Sequence, residues 1–165
     1  MRFYLIRHGK AVSRAVDAVR PLTERGRDDV ARVAAFARSA GVEVHQICHS
    51  GKCRAEETAA ILAEYLEPAG GTASVPGLRP EDDVRPMAEV LNRETKPLML
   101  VGHYPSLVRL AGLLLAGNKR CSVVDFQMGS IACLERHHGS GNWSVCWLVT
   151  PDLFPESWQG FSPTV

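Results

Sequence analysis

Short apolar runs alternate along this chain with segments in which apolar residues recur at helical spacing. Residues 3–6, 42–48 and 97–101 are rich in strand-forming side chains, and the last run is continuously apolar, which is typical of a buried parallel strand. Apolar side chains between residues 30 and 37 fall on one helical face. Thr23 is the predicted N-cap of this first helix, and Gly41 marks its predicted end.

Three more helices and a hairpin follow. The second helix is predicted to start near Lys52 and continue to Leu66, the third covers residues 84–93, and the fourth begins with Pro105 in its first turn. Residues 68–83 form a loop rich in Pro and Gly, with a short strand at residues 72–75. Residues 131–135 and 144–150 predict two strands joined by a Gly-rich turn at residues 138–142.

This order of strands and helices predicts an α/β fold with three layers. The sheet is expected to be mainly parallel, with helices on both faces and a C-terminal β-hairpin. A chain of 165 residues has the size of one domain, so residues 1–165 are predicted to form a single domain. Residues 151–165 contain Phe154, Trp158 and Phe161, and we expect them to form a strap or tail packed over the core.

Charge and composition narrow the classes of partner. The 19 Lys and Arg residues nearly balance the 18 Asp and Glu residues, which argues against binding to nucleic acid or to an anionic membrane surface. No stretch approaches the roughly 20 apolar residues that span a bilayer. The apolar segment between Arg2 and Arg7 is too short for a signal peptide. The five cysteines contain no Cys-x-x-Cys pair, so we expect reduced thiols and a cytoplasmic location.

The candidate chemistry lies directly after the predicted strands. Arg7 and His8 follow the first strand, Arg54 lies in the first turn of the helix after the second strand, and His103 follows the run at 97–101. In open α/β sheets, ligands bind beyond the carboxyl ends of the strands. Two arginines and two histidines are therefore predicted to meet at one edge of the sheet.

Two converging guanidinium groups are suited to a tetrahedral phosphate dianion, because arginine offers planar pairs of donors and stays charged. Neighbouring cations would lower the pKa of a histidine in such a pocket. A neutral imidazole is a nucleophile that can accept a phosphoryl group, and a second imidazole can donate to the phosphoryl oxygens.

Two rival kinds of site fit the sequence poorly. No carboxylate or cysteine stands at ligand spacing from the two histidines, and Arg7 and Arg54 would repel a cation, so no metal and no cofactor are predicted. The glycine pattern of a nucleotide-binding P-loop is missing before both Gly9-Lys10 and Gly51-Lys52.

Four motifs resemble those of the histidine phosphatase superfamily, which has the phosphoglycerate mutase-like fold. They are Arg7-His8-Gly9, the stretch from Pro21 to Gly26, the stretch from Ser50 to Ala59, and Val101-Gly102-His103-Tyr104-Pro105. Within the superfamily the chain looks most like the SixA-type phosphohistidine phosphatases, because it is short and carries His49-Ser50-Gly51-Lys52 and only a compact loop after the second motif.

The resemblance implies roles for individual residues. His8 would be the nucleophile that accepts the phosphoryl group, Arg7, Arg54 and His103 would form the phosphate pocket, and Arg20 would reach its rim. Phosphomonoesterases of this superfamily also use a carboxylic acid to protonate the leaving alkoxide. The candidates here are Glu81, Asp82 and Asp83, with Glu81 and Asp83 preferred.

Three functions remain open at this point. The first is metal-independent removal of phosphate from phosphohistidine in a protein, such as a histidine phosphotransfer domain, through a covalent phosphohistidine intermediate. The alternative is a phosphomonoesterase for a small metabolite, in which one of the acidic residues protonates the leaving group. The third is a phosphate-binding protein without catalysis, which would have no need of an imidazole nucleophile.

Overall fold

The computed structural model describes residues 1–158, which are built around one six-stranded sheet. The strands have the spatial order β3-β2-β4-β1-β5-β6. The chain also forms four α-helices and, after β6, a short 3-10 helix. The strands are β1 (Arg2–Arg7), β2 (Gln46–His49), β3 (Thr72–Ser74), β4 (Leu98–Gly102), β5 (Ile131–Arg136) and β6 (Trp143–Val149). The helices are α1 (Glu24–Ser39), α2 (Cys53–Leu66), α3 (Arg85–Arg93) and α4 (Ser106–Ala116).

The first four strands are parallel, and the last two form an antiparallel hairpin at one edge. β1 pairs in parallel with β4 on one side and antiparallel with β5 on the other, so it lies at the centre of the sheet. The carboxyl ends of β1, β2 and β4 consequently reach the same edge. This is the mainly parallel three-layer arrangement predicted from the sequence.

Each face of the sheet is covered by two helices. Phe3 and Leu5 of β1 pack on the side of α3 and α4, whereas Tyr4 and Ile6 pack on the side of α1 and α2. All four of these side chains are buried. The alternation follows from the two-residue repeat of a strand, and burial on both faces explains why the run at residues 3–6 is continuously apolar.

One predicted strand is shorter than its apolar pattern suggests. The run at residues 42–48 pairs only from Gln46 onward, where Gln46 lies opposite Leu98 of β4. Val42 and Val44 are buried in the connection that leads away from α1, although they belong to no strand. The Val42 amide instead donates to the Ala37 carbonyl at the end of α1. The apolar pattern therefore predicted the burial of Val42 and Val44 correctly, but it was wrong to place them in a strand.

The described part of the C-terminal segment packs against α1. After the 3-10 helix Pro151–Leu153, the Phe154 ring lies 5.5 Å from the Phe36 ring and stacks on Trp158 at 4.4 Å. Phe161 and the rest of the predicted strap, residues 159–165, lie outside the described residues. In the part of the chain that the structure covers, no helix has the length and apolar character needed to cross a membrane.

Candidate active site

Arg7 ends β1 with its side chain anchored on the segment before β5. Its Nη1 donates to the carbonyl oxygen of Phe126 at 2.7 Å. Its Nε is buried and has no hydrogen-bond partner among the described residues, which is rare for a charged donor. The guanidinium carbon lies 5.6 Å from the centre of the Tyr104 ring. Arg7 is thus held by the Phe126 carbonyl and lies beside the Tyr104 ring, with one buried donor unpaired.

His8 follows Arg7 and is held in one tautomer. Its Nδ1 lies 2.7 Å from the carbonyl oxygen of Gly9, which can only accept, so the ring proton is on Nδ1. Nε2 then carries the lone pair, and it accepts a hydrogen bond from Nε of Arg54 at 3.1 Å. The His8 side chain is only 7% exposed. The sequence therefore places a neutral, oriented imidazole at the carboxyl end of the central strand.

Arg54 contacts both histidines of the site from the first turn of α2. Its Nη2 lies 3.3 Å from Nδ1 of His103, whose ring centre is 4.8 Å from that of His8. Because arginine only donates, the proton of neutral His103 is on Nε2, which lies 2.6 Å from Oγ of Ser50. The two imidazoles and the guanidinium form one hydrogen-bonded group, which the sequence predicted only as a shared edge.

Burial and neighbouring cations keep both imidazoles neutral. The pKa of His8 is lowered to about 4, mainly by burial and also by the charges of Arg54, Arg7 and Arg20, although the hydrogen bond to Gly9 opposes this shift. The pKa of His103 is lowered to about 3, first by burial and then by His8, Arg54 and Lys52. Burial also lowers the pKa of Arg7 and Arg54, but guanidinium groups remain charged at neutral pH. The site is thus a cationic pocket with two uncharged nitrogen bases.

Thr58 joins the loop that carries His8 to the helix that carries Arg54. Its fully buried hydroxyl accepts from the amide of Gly9 at 3.1 Å and donates to the carbonyl of Arg54 at 2.7 Å. Gly9 itself has no room for a side chain, because a Cβ there would lie 2.7 Å from Val30. The Arg-His-Gly turn is therefore fixed from both sides.

Arg20 lies near the pocket on the loop between β1 and α1. It has a positive φ of 59°, and its Nε donates to the carbonyl of Val12 at 3.2 Å. Its charge lowers the pKa of both His8 and Arg54. The structure therefore brings Arg20 within electrostatic reach of His8 and Arg54.

The three acidic residues before α3 have different surroundings. Asp82 accepts from the amides of Gly77 and Arg79 and so holds its own loop together. Asp83 forms an ion pair with Arg85 at 2.6 Å, and the hydrogen bond from Arg85 lowers the pKa of its carboxyl group. Glu81 is exposed, and its charge acts on Arg54. A carboxyl group tied to arginine gives up its proton too readily to serve as an acid, so the surroundings of Asp83 weigh against that assignment and leave Glu81.

Some contacts of the site were not predicted from the sequence. Ser50 and Thr58 fall inside the second motif, but the motif does not reveal that they bind His103 and Gly9. Thr58 stands four residues after Arg54, which places both on one face of α2 and was a usable signal. His49, whose exposure was open, is buried and accepts the Gly51 amide at 3.3 Å. Within residues 1–158, no three His, Cys, Asp or Glu side chains are grouped to hold a metal ion.

Known proteins show the same motifs and fold. The model of the histidine phosphatase superfamily (branch 1) matches residues 3–79. The chain is 27% identical over 150 residues to the phosphohistidine phosphatase SixA of Escherichia coli (strain K12), which covers 88% of this chain and 93% of that protein. An uncharacterised protein of Picosynechococcus sp. (strain ATCC 27264 / PCC 7002 / PR-6) is 31% identical over 151 residues, with 83% of this chain and 90% of the relative covered.

A solved structure supports the same assignment. The structure of the protein histidine phosphatase SixA complexed with tungstate superposes with a TM-score of 0.82 at 27% identity, covering 93% of this chain and 99% of that chain. The family model covers the first half of the chain, and the SixA relative and the SixA structure cover 88% and 93% of it. The protein therefore belongs to the histidine phosphatase superfamily and is of the SixA type.

Proposed function

We propose that this protein is a phosphatase that removes the phosphoryl group from phosphohistidine in a protein, with His8 as the nucleophile. The observation that carries the proposal is the contact of one guanidinium, that of Arg54, with Nε2 of His8 and Nδ1 of His103. A phosphoryl group that replaces these two contacts would have a nucleophile, a fixed cation and a second imidazole around it. The SixA relative whose structure holds tungstate, a tetrahedral oxyanion, supports this use of the pocket.

In the first step, the lone pair on Nε2 of His8 attacks phosphorus. The bond between phosphorus and the substrate nitrogen breaks, and its electron pair goes to that nitrogen. A protonated phosphoimidazole leaves as neutral imidazole, so this substrate needs little help from a general acid. Arg7 and Arg54 stabilise the charge on the transferring oxygens, because their guanidinium groups stay positively charged.

In the second step, water attacks phosphorus and the bond to Nε2 of His8 breaks. The proton on Nδ1, held by the Gly9 carbonyl, lets His8 leave as a neutral imidazole without any further proton transfer. The proton of the attacking water goes to a phosphate oxygen or to solvent. His8 returns to its starting tautomer, so the cycle is balanced.

His103 is proposed to respond to the bound phosphoryl group. Burial, and then the neighbouring cations, lower its pKa and hold it neutral in the free site. A phosphate dianion beside it favours the protonated imidazole, which then donates from Nδ1 to a phosphoryl oxygen. Ser50, at 2.6 Å from Nε2, keeps the ring oriented during this change.

Glu81 supports a second candidate, hydrolysis of small phosphate esters. An alkoxide is a poor leaving group and needs a proton, and Glu81 is the acidic residue of its loop whose charge reaches Arg54. Replacement of Glu81 by Gln would then abolish ester turnover while leaving P–N hydrolysis nearly intact. Asp83→Asn serves as the matched control, because Asp83 is tied to Arg85.

The test compares two substrates in the presence of EDTA. Phosphate release is measured from a phosphorylated histidine phosphotransfer domain and from p-nitrophenyl phosphate, with wild type and His8→Ala. We expect preferential loss of the protein phosphohistidine, with a fall of at least about 10³-fold in His8→Ala, since no covalent intermediate can form. Faster turnover of the ester would favour the second candidate. Full activity in His8→Ala would overturn both.

A further inference from the structure

A cleft opens beside the phosphate pocket, on the side of Tyr104. It has a volume of about 750 Å³ and lies between the loop before α3, the start of α4 and the segment after α4. We call it the docking cleft. Its charged and aromatic lining consists of Glu81, Asp82, Asp83, Arg85, Tyr104, Arg109, Lys119 and Arg120.

The docking cleft carries cations that the fold leaves unpaired. Asp83 is paired with Arg85, and Lys119 lies 3.9 Å from the same carboxylate. Arg109 and Arg120 are exposed, and neither forms an ion pair with any residue that the structure describes. Glu81 and Asp82 also line the cleft and form no ion pair among the described residues, but both lie on the loop before α3. The unpaired positive charge therefore belongs to α4 and the segment after it.

Tyr104 connects the cleft to the pocket. Its ring is 56% exposed and lies 5.6 Å from the guanidinium carbon of Arg7. Val123 and Met128 are also exposed on the segment before β5, which reaches the same edge because the amide of Gly129 donates to the carbonyl of Arg7. Exposed tyrosine, methionine and arginine side chains are typical of protein interfaces.

The depth of the pocket brings any protein substrate into contact with its rim. His8 and His103 are 7% and 1% exposed, so the phosphorylated side chain of a folded partner must enter the surface to reach Nε2 of His8. The partner surface around that side chain then rests on the rim. The described stretch between α2 and α3 contains only the short strand β3 as regular structure, so no inserted helix stands over the pocket there.

We infer that the docking cleft binds an acidic surface next to the phosphohistidine of the protein substrate, with Arg109 and Arg120 facing its carboxylates and Tyr104 packing at the pocket rim. This inference rests on the proposed action on a protein phosphohistidine. Neither arginine contacts the phosphate pocket, so Arg109 and Arg120 recognise the partner and take no part in phosphoryl transfer.

The experiment uses the double variant Arg109→Glu/Arg120→Glu. Its kcat/KM is measured on a phosphorylated histidine phosphotransfer domain that has carboxylates beside its phosphohistidine, and on phosphoramidate, the simplest P–N substrate. We expect a fall of at least about tenfold for the protein, mostly in KM, and an unchanged value for phosphoramidate. The loss is expected to shrink as salt is added, because exposed charges are screened. Arg93→Glu, at the far end of α3, is the control for a charge reversal outside the cleft and should behave as wild type.

Each other outcome has a defined meaning. Equal kcat/KM for the domain in wild type and the double variant overturns the docking cleft and leaves the proposed function standing. An equal loss on phosphoramidate, or the same loss in Arg93→Glu, also overturns it, because the effect would then be on the pocket or on net charge. A wild type that turns over phosphoramidate but not the phosphorylated domain removes the proposed protein substrate instead. If the double variant fails to fold, Arg109→Gln/Arg120→Gln is measured in its place.

Discussion

At the scale of single residues, Thr58 must make two hydrogen bonds at once with a buried hydroxyl group. Its hydroxyl is the link between the Gly9 amide and the Arg54 carbonyl, and it is completely buried. The Gly9 peptide in turn presents the carbonyl that holds the Nδ1 proton of His8. The orientation of the nucleophile therefore depends on a side chain that touches neither the phosphate pocket nor solvent.

Thr58→Val is expected to lower kcat about tenfold with a smaller change in KM. Valine keeps the volume of threonine but leaves the buried Gly9 amide without an acceptor, which should also cost about 1–3 kcal/mol in the free energy of unfolding. Thr58→Ser retains both hydrogen bonds and should restore most of kcat. Steady-state kinetics and urea unfolding of the two variants provide the measurement. Unchanged kcat in Thr58→Val together with a loss in Thr58→Ser would show that the methyl group matters and the hydroxyl does not.

At the scale of the elements, the start of α1 is built onto the loop that follows His8. Thr23 caps the helix by accepting the Gly26 amide, and its own amide donates to the carbonyl of Lys10. A Cβ on Gly26 would lie 2.1 Å from that same carbonyl oxygen, far inside contact distance. Only glycine allows the helix to approach the loop this closely.

Gly26→Ala should therefore destabilise the fold although alanine is the better helix former. The clash forces the helix away from the loop, and we expect a loss of about 1–3 kcal/mol together with reduced activity. Asp28→Ala, at an exposed position two residues later, should change stability by less than about 0.5 kcal/mol. Urea denaturation of both variants is the check. A Gly26→Ala protein as stable as Asp28→Ala would mean that the loop moves at no cost.

The elements also show which features of the fold and of the site could be predicted from the sequence. Apolar periodicity was sufficient to predict the strands and helices, and the rule of strand ends brought Arg7, His8, Arg54 and His103 to one edge. The prediction that Val42 and Val44 belong to a strand was wrong because an apolar pattern indicates burial only. A strand also requires a partner, and β4 begins to pair with β2 only at Leu98. The sequence also could not distinguish the adjacent acidic residues before α3. They differ in their contacts with Gly77, Arg79 and Arg85, which no local pattern encodes.

At the scale of the whole molecule, the two neutral histidines make stability depend on pH. Both have an ordinary pKa near 6.5 when unfolded, and values of about 4 for His8 and about 3 for His103 when folded. Below pH 6.5 the unfolded chain binds protons that the folded chain does not accept. The stability is fully present above pH 6.5 and is lost as the pH falls toward the two folded values.

The urea midpoint is therefore expected to fall between pH 7 and pH 4. Each unit of pKa difference corresponds to about 1.4 kcal/mol, so the two groups together account for several kcal/mol. His8→Ala removes one of them and should have a shallower dependence of the unfolding free energy on pH over this range. An equally steep dependence in that variant would assign the effect to other groups.

The residues of the phosphate pocket are held in place by contacts between parts of the chain that are far apart in sequence. Arg7 bonds to Phe126 across 119 positions, and the amide of Gly129 donates to the carbonyls of Arg7 and His8. β1 reaches its position only by pairing with β4 and β5, both far along the chain. Such contacts of high contact order carry a large loop-closure entropy and form slowly. During synthesis, the pocket around His8 can therefore form only after the last quarter of the chain has been made. On refolding, catalytic activity should return when the sheet is complete and not when an early collapsed state forms.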